Sequence, residues 1–220
     1  VSCVMVFTFL WMKLYGACLS PYVRKVAFVL NMKGLERERD DALPGTLSRE
    51  ISPLGKIPVL IDGAMVLPDS SVICEYLEEQ YPSIAVLPKA VADRAKSRWL
   101  EEFSDSKLGE LCGSKLFSER VAKKIMRGED ADEKVVADAI DSLLPPVQDY
   151  LEHQLPQDGF VFGQPGIVDI GIATHFITAG YAGYEVDALR WPRLAAHVKR
   201  LSAMPEVQQQ LKAEAALLAR

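Results

Sequence analysis

The chain has 220 residues, a formal net charge of −5, 49 % hydrophobic residues and 25 % charged residues. This composition is ordinary for a soluble globular protein, and it excludes a disordered acidic tail, a collagen-like fibre and a small disulfide scaffold. The mild acidity supplies no broad positive field for nucleic acid. The cysteines Cys3, Cys18, Cys74 and Cys112 show no CxxC spacing, so they support no zinc or dithiol site and fit a reducing cytosol.

Residues 1–11, VSCVMVFTFLW, are uncharged and mostly apolar. They are too short to span a bilayer and lack the basic start and small-residue cleavage site of a signal peptide. They read as an extension upstream of Met12; the rival reading is an interfacial or dimer-contacting arm. Met12 to Gly16 alternates as a short strand. Pro21 then opens a helix with Val23, Val26, Ala27 and Leu30 at helical spacing, ended by Gly34. Residues 36–42 suit a brief edge strand. Ile57 to Ile61 is a β-rich run, Asp62-Gly63 is a hairpin signal, and Ala64 to Leu67 returns as the partner strand. Asp69-Ser70-Ser71 starts a helix whose buried face is read as Val72, Ile73, Tyr76 and Leu77.

Pro82 to Pro88 reads as a linker, and strand signals then stop. Ala92, Ala95, Trp99 and Phe103 mark the face of a long helix. Ile140, Leu143, Val147 and Leu151 mark another, with Pro145-Pro146 as a kink or a helix start. Further helices are expected from Ile167 to about Gly180, from Trp191-Pro192 and from Pro205. The expected organisation is an extension over 1–11, a β-α-β-β-β-α unit over 12–81, a linker over 82–90 and an all-helical unit over 91–220.

Three local features bear on chemistry: Ser20-Pro21 between a strand and a helix, Lys56-Ile57-Pro58 entering a strand, and Asp69-Ser70 at a helix N-terminus. Taken singly they are an N-cap serine, a trans proline at a strand start beside a solvated lysine, and a common capping pair. Together, MKLYGACLSPYVRKVAFVLNMKGL, SPLGKIPVLIDG, LPDSSVICEYLEEQYP, FVFGQPGIVDIGIA and RWPRLAAHVKRLSAMPEV resemble a cytosolic glutathione transferase of the serine-type, bacterial-like kind, over residues 12 to about 210.

The resemblance implies an α+β two-domain fold, with a thioredoxin-like N-terminal domain and an all-α C-terminal domain, usually dimeric. It implies glutathione as co-substrate, a small hydrophobic electrophile as second substrate, and no metal, prosthetic group, nucleic acid or membrane. It makes Ser20 the catalytic residue, as a hydrogen-bond donor to the thiolate at a positive helix end. It makes the Ile57–Pro58 bond cis, with the Ile57 backbone pairing with the tripeptide like an added strand. Lys56 then meets the glycyl carboxylate and Ser70 the γ-glutamyl carboxylate, while Asp69 binds the γ-glutamyl amino group or caps the helix. Asp169 is assigned to folding, as the capping acid of a buried helix that has Gly166 where the family usually has Ser or Thr.

Cys18 competes with Ser20, because some relatives react through cysteine. The resemblance implies a catalytic residue at a fixed distance before the helix-ending Lys-Gly, and counted back from Lys33-Gly34 that position is Ser20, not Cys18. A glutathione-dependent reductase acting through Cys18, an isomerase, and a non-catalytic binding or regulatory protein stand as alternatives; the Ser-Ser-Cys-Ser run of the isomerase class is absent. His153, His175 and His197 share no metal-ligand spacing. Trp99, Phe103, Phe176, Tyr181 and Tyr184 read as core aromatics, with Phe103, Cys112, Tyr181 and Tyr184 as candidate linings of the second-substrate pocket.

Overall fold

A computed structural model describes residues 12–218, so the expectation for residues 1–11 lies outside the described residues. Strand β1 (Met12–Tyr15) buries Met12 and Leu14 and leaves Lys13 and Tyr15 half-buried, the alternation read from the sequence. Helix α1 (Pro21–Met32) is capped by Ser20, carries proline in its first turn and is followed by Gly34 at φ 66°. Strand β2 (Glu38–Asp40) pairs parallel to β1 at the sheet edge, where its charges discourage further pairing. Strands β3 (Val59–Asp62) and β4 (Met65–Pro68) form an antiparallel hairpin. Asp62 pairs with Met65, so the loop is Gly63-Ala64, one residue later than the Asp-Gly signal places it. The sheet order is β2-β1-β3-β4.

Helix α2 (Ser70–Gln80) buries Ile73, Cys74 and Leu77, whereas Val72 is exposed. The expected face is therefore rotated, because Val72 lies 100° from Ile73 around the helix. The linker is fastened by a buried carboxylate: Glu78 accepts the Val86 and Leu87 N–H groups and the Lys33 ammonium.

Helix α3 (Val91–Phe103) runs on as a π-helical stretch (Ser104–Ala122) into α4 (Lys123–Arg127). Its inward residues are Ser97, Leu100 and Glu101, and Ala92, Ala95 and Trp99 face solvent. The apolar periodicity thus picks the wrong side. The inward side is polar because its acids meet a cation from α1. Helix α5 (Glu133–Asp138) leads through a π turn (Ala139–Leu143) into α6 (Leu144–Gln154), where the proline pair occupies the first turn and marks a start. Helix α7 (Ile167–Tyr181) is apolar nearly all round, and α1, α3 and α8 (Pro192–Ser202) surround it. Asp169 on α7 is fully buried and accepts the Gly166 N–H at 2.9 Å and the Val161 N–H at 3.0 Å. Helix α9 (Pro205–Leu218) closes the described chain against α1. The result is a thioredoxin-like sheet-and-helix domain followed by a helical one. No helix among the described residues is long and apolar enough to cross a membrane.

Candidate functional site

Strand register gathers the three sequence features at one end of the sheet. Tyr15 pairs with Val59, and Val59 pairs with Pro68. The chain leaving β1 towards Ser20, the Ile57-Pro58 segment entering β3 and the Asp69-Ser70 pair leaving β4 therefore share an edge. Gly16 brings the first two together at φ 140°: a Cβ there would lie 2.4 Å from Val23 Cγ2 and 3.2 Å from Ile57 Cβ, so only glycine fits.

Ser20 is partly exposed at the N-terminus of α1. Its carbonyl accepts the Arg24 N–H at 2.9 Å, and its Oγ accepts the Val23 N–H at 3.5 Å. Its hydroxyl proton has no acceptor among the described residues, so it can be donated to a ligand. Cys18 is buried, and burial, followed by the charge of Asp41, raises its thiol above the ordinary value. Such a thiol is a poor source of thiolate.

The Ile57–Pro58 peptide bond is cis. Neither the N–H nor the carbonyl of Ile57 is hydrogen-bonded to another described residue. The Ser52 hydroxyl holds the Lys56 carbonyl at 2.7 Å, which leaves the Lys56 side chain exposed beside that open backbone.

Asp69 takes φ 81°, among the described residues the one positive φ outside glycine. Such backbone strain persists only where the surroundings enforce it and tends to cluster at ligand sites. Its Oδ1 accepts the Ser71 and Val72 N–H groups at 2.9 and 3.2 Å, making it the cap of α2. Of the first turn, the Ser70 N–H is left without a partner among the described residues, at the positive end of the helix.

Beneath α2 lies a charge cluster that sequence reasoning missed. Lys25 is fully buried; its ammonium contacts Asp105 and Glu101, and donates to the Ser71 hydroxyl at 3.2 Å. Burial alone would lower Lys25, but the charges of Asp105 and Glu101 outweigh it and push its pKa up, so the ammonium persists. Asp105 Oδ2 lies 3.5 Å from Ser70 Oγ and 3.4 Å from Ser71 Oγ. Burial would raise its carboxyl, yet the His175 hydrogen bond and the Lys25 charge hold it below the usual range. His175, fully buried on α7, sits 3.3 Å from Asp105 Oδ1 and has its own pKa lowered by burial, so it is neutral at pH 7. Tyr22 donates to the Asp105 carbonyl at 2.9 Å and stacks edge-on to His175. Two charges inside the apolar run of α1, Arg24-Lys25, were the signal that could have found this cluster.

Among the candidate pocket linings, Cys112 has no exposed surface and Tyr184 is buried with its hydroxyl on Gln148 Oε1 at 2.8 Å. Trp99 is 55 % exposed, against its reading as a core aromatic. Among the described residues no group of three or more His, Cys, Asp or Glu is arranged to hold a metal ion.

An open-backboned cis-proline segment, a serine-capped helix and a strained acid-capped helix thus meet at one edge of a thioredoxin-like domain. Residues 14–87 match the family described as glutathione S-transferase, N-terminal domain. The chain is 27 % identical over 211 residues to a maleylacetoacetate isomerase of Pseudomonas aeruginosa, covering 90 % of this chain and 94 % of that protein. It is 40 % identical over 80 residues to a Triticum aestivum glutathione S-transferase, covering 36 % of this chain and 38 % of that one. Among solved structures it is similar to a glutathione S-transferase from Rhodospirillum rubrum, with TM-score 0.82, 25 % identity and 91 % of each chain covered. Residues 14–87 are thus a glutathione S-transferase N-terminal domain, and the chain as a whole is similar to members of the cytosolic glutathione transferase family. Glutathione is that family's co-substrate.

Proposed function

We propose that this protein ionises the glutathione thiol at Ser20 and adds the thiolate to a small hydrophobic electrophile. The observation that carries this reading is the Ser20 hydroxyl, half-open at a helix N-terminus, with its proton free and the Ile57 and Ser70 amides at the same sheet edge. A thiol of pKa about 8.5 reaches about 6.5 if the site prefers thiolate by roughly 2.7 kcal/mol. One hydrogen bond to a charged acceptor supplies about 1.5–3 kcal/mol, and the helix end adds to it.

In this reading the Ile57 backbone pairs with the cysteinyl unit, Lys56 meets the glycyl carboxylate, and the Ser70 N–H and hydroxyl take the γ-glutamyl carboxylate. Asp69 caps α2 through Oδ1 alone, so its Oδ2 is open to the γ-glutamyl ammonium, and Asp105, behind Ser70, adds negative charge that draws the same group. The sulfur forms the new C–S bond, and the electrophile takes a proton from solvent or releases its leaving group. Residues 12–81 hold glutathione, 82–90 link, and 91–220 supply the electrophile pocket. The protein is read as a cytoplasmic homodimer acting in detoxification. The exposed Met65, Val66 and Val72 on the neighbouring β4 and α2 support the dimer.

The near full-length likeness to an isomerase favours one second reading. An isomerase uses the same thiolate but expels glutathione unchanged. Ser20→Ala, assayed with a panel of electrophiles and unsaturated acids, tests both. Turnover should fall about ten- to a hundredfold, the worth of one charged hydrogen bond, and glutathione consumption separates conjugation from isomerisation. Abolished turnover in Cys18→Ala with a mild Ser20→Ala would overturn the assignment.

A further inference from the structure

Arg24 lies one turn beyond Ser20 and has no exposed surface. Its guanidinium is fully occupied. Nε meets Glu214 at 2.9 and 3.0 Å, and Nη2 meets Glu214 Oε2 at 2.6 Å and the Leu19 carbonyl at 3.3 Å. Nη1 donates to the Thr174 carbonyl at 2.9 Å and to Thr178 Oγ1 at 2.8 Å. Glu214, on α9 and equally buried, also accepts the Tyr181 hydroxyl at 2.8 Å and Gln210 Nε2 at 2.7 Å. The Thr174 hydroxyl donates to the Pro21 carbonyl at 3.0 Å.

Two of these bonds flank one residue. Leu19 and Pro21 stand on either side of Ser20, and both carbonyls are held by this network. Stability alone does not explain it, because a buried ion pair is often matched or bettered by apolar residues of similar volume. No apolar residue could donate to the Leu19 carbonyl, however, and a displacement of about 1 Å at a reacting group can cost around a hundredfold in rate.

We propose that the Arg24–Glu214 pair is the positioning device for Ser20. It fixes the backbone on both sides of the serine so that the hydroxyl meets the sulfur of bound glutathione. Helix α9, 190 residues away in the chain, is thereby part of the apparatus that ionises the thiol. Arg24 and Glu214 touch no substrate; they act through Ser20. This inference rests on the thiolate reading of the preceding section.

The test follows the ionisation of bound glutathione against pH by the ultraviolet absorbance of its thiolate in wild type, Ser20→Ala, Arg24→Lys and Glu214→Gln. Affinity for glutathione is measured by calorimetry. In Arg24→Lys and Glu214→Gln the thiolate should appear about one pH unit higher, with kcat/KM near pH 6.5 down about tenfold. Affinity measured near pH 6, where bound glutathione is still mostly thiol, should move less than about threefold, because the groups that bind the tripeptide are untouched. Should those variants not fold, Tyr181→Phe and Thr174→Val each remove one hydroxyl of the network, and the same upward shift, smaller, is expected. Lowered thermal stability with an unmoved thiolate pKa and unmoved kcat/KM overturns the inference alone. Wild type that forms no thiolate, or Ser20→Ala that leaves it unchanged, overturns this inference and the proposed function together.

Discussion

Arg24 and Lys25 are adjacent on α1 and both fully buried, but they serve two different regions. Arg24 reaches α7 and α9, where a carboxylate, two threonines and a backbone carbonyl occupy every guanidinium N–H. Lys25 reaches α3 and the π-helical stretch, where two carboxylates crowd one ammonium and the hydroxyls of Ser70 and Ser71 stand at the rim. The first region is closed and electrically balanced, Glu214 answering Arg24. The second carries one more acid than base, since His175 is neutral, and it borders a helix end with an amide that has no partner among the described residues. An excess negative charge kept next to Ser70 makes sense where a ligand brings its own ammonium group. A closed, neutral network makes sense where the task is to hold backbone.

The largest effect expected from this contrast is on stability. Lys25→Met leaves Glu101 and Asp105 buried together without a cation and should cost about 3–5 kcal/mol at pH 7. Arg24→Met should cost less, because Glu214 keeps the Tyr181 hydroxyl and Gln210. Urea unfolding of the two variants measures the difference. The Lys25→Met deficit should shrink as pH falls and one of its two acids takes a proton; equal losses with equal pH dependence would break the distinction between the regions.

Neither network was legible in the sequence, whereas most of the scaffold was. The alternation of β1, the paired runs around Gly63, the proline at the head of α6 and the acid start of α2 are local patterns of period, turn and cap, readable within a few residues. Ser20, Ile57-Pro58 and Asp69-Ser70 each sit at such an element boundary, but singly they read as caps and a strand start, and the family resemblance is what singles them out as candidate site residues. Their assembly into one edge needed the register Tyr15–Val59–Pro68, which no local pattern carries. The inward face of α3 was misplaced for the opposite reason. Hydrophobic periodicity assumes that the buried side is apolar, and here the buried side carries Glu101, whose partner lies 76 residues earlier in the chain. The apolar Ala92, Ala95 and Trp99 were left facing outward.

A smaller effect sharpens the contrast on the binding side. Asp105→Asn keeps the shape of the side chain but removes the excess charge next to Ser70. Affinity for glutathione should fall about tenfold, close to the low end of the roughly 1.5–3 kcal/mol typical of a charged hydrogen bond, while a glutathione analogue lacking the γ-glutamyl amino group should bind both proteins alike. Calorimetry with the two ligands decides it. An equal loss for both would mean that Asp105 serves only to hold Lys25.

The smallest effect comes from a buried carboxylate outside both regions, one that meets backbone amides and a neutral histidine. Burial raises Asp169 to about 6, against its hydrogen bonds from Val161 and Gly166, and burial also lowers His197, 3.4 Å from the Asp169 carbonyl, to about 4. The two act oppositely on stability. Asp169 holds its proton more tightly folded than unfolded, so its contribution is complete below the unfolded value near 4 and is lost as pH rises through about 6. His197 binds its proton less tightly folded, so its contribution is present above the unfolded value near 6.5 and is lost as pH falls towards 4. Between pH 4 and 6 the slopes largely cancel, and wild-type stability should be nearly flat over this window as far as this pair is concerned. Asp169→Asn removes one slope. It should lower stability by about 1 kcal/mol near neutral pH, the usual worth of a helix cap, and stability should then climb with pH from about 4 to 6.5 as the histidine term stands alone. Urea midpoints at several pH values follow this directly. A variant curve parallel to wild type would show that the two groups do not share the window, and that the cap is held as an ordinary ionised carboxylate by its two amide donors.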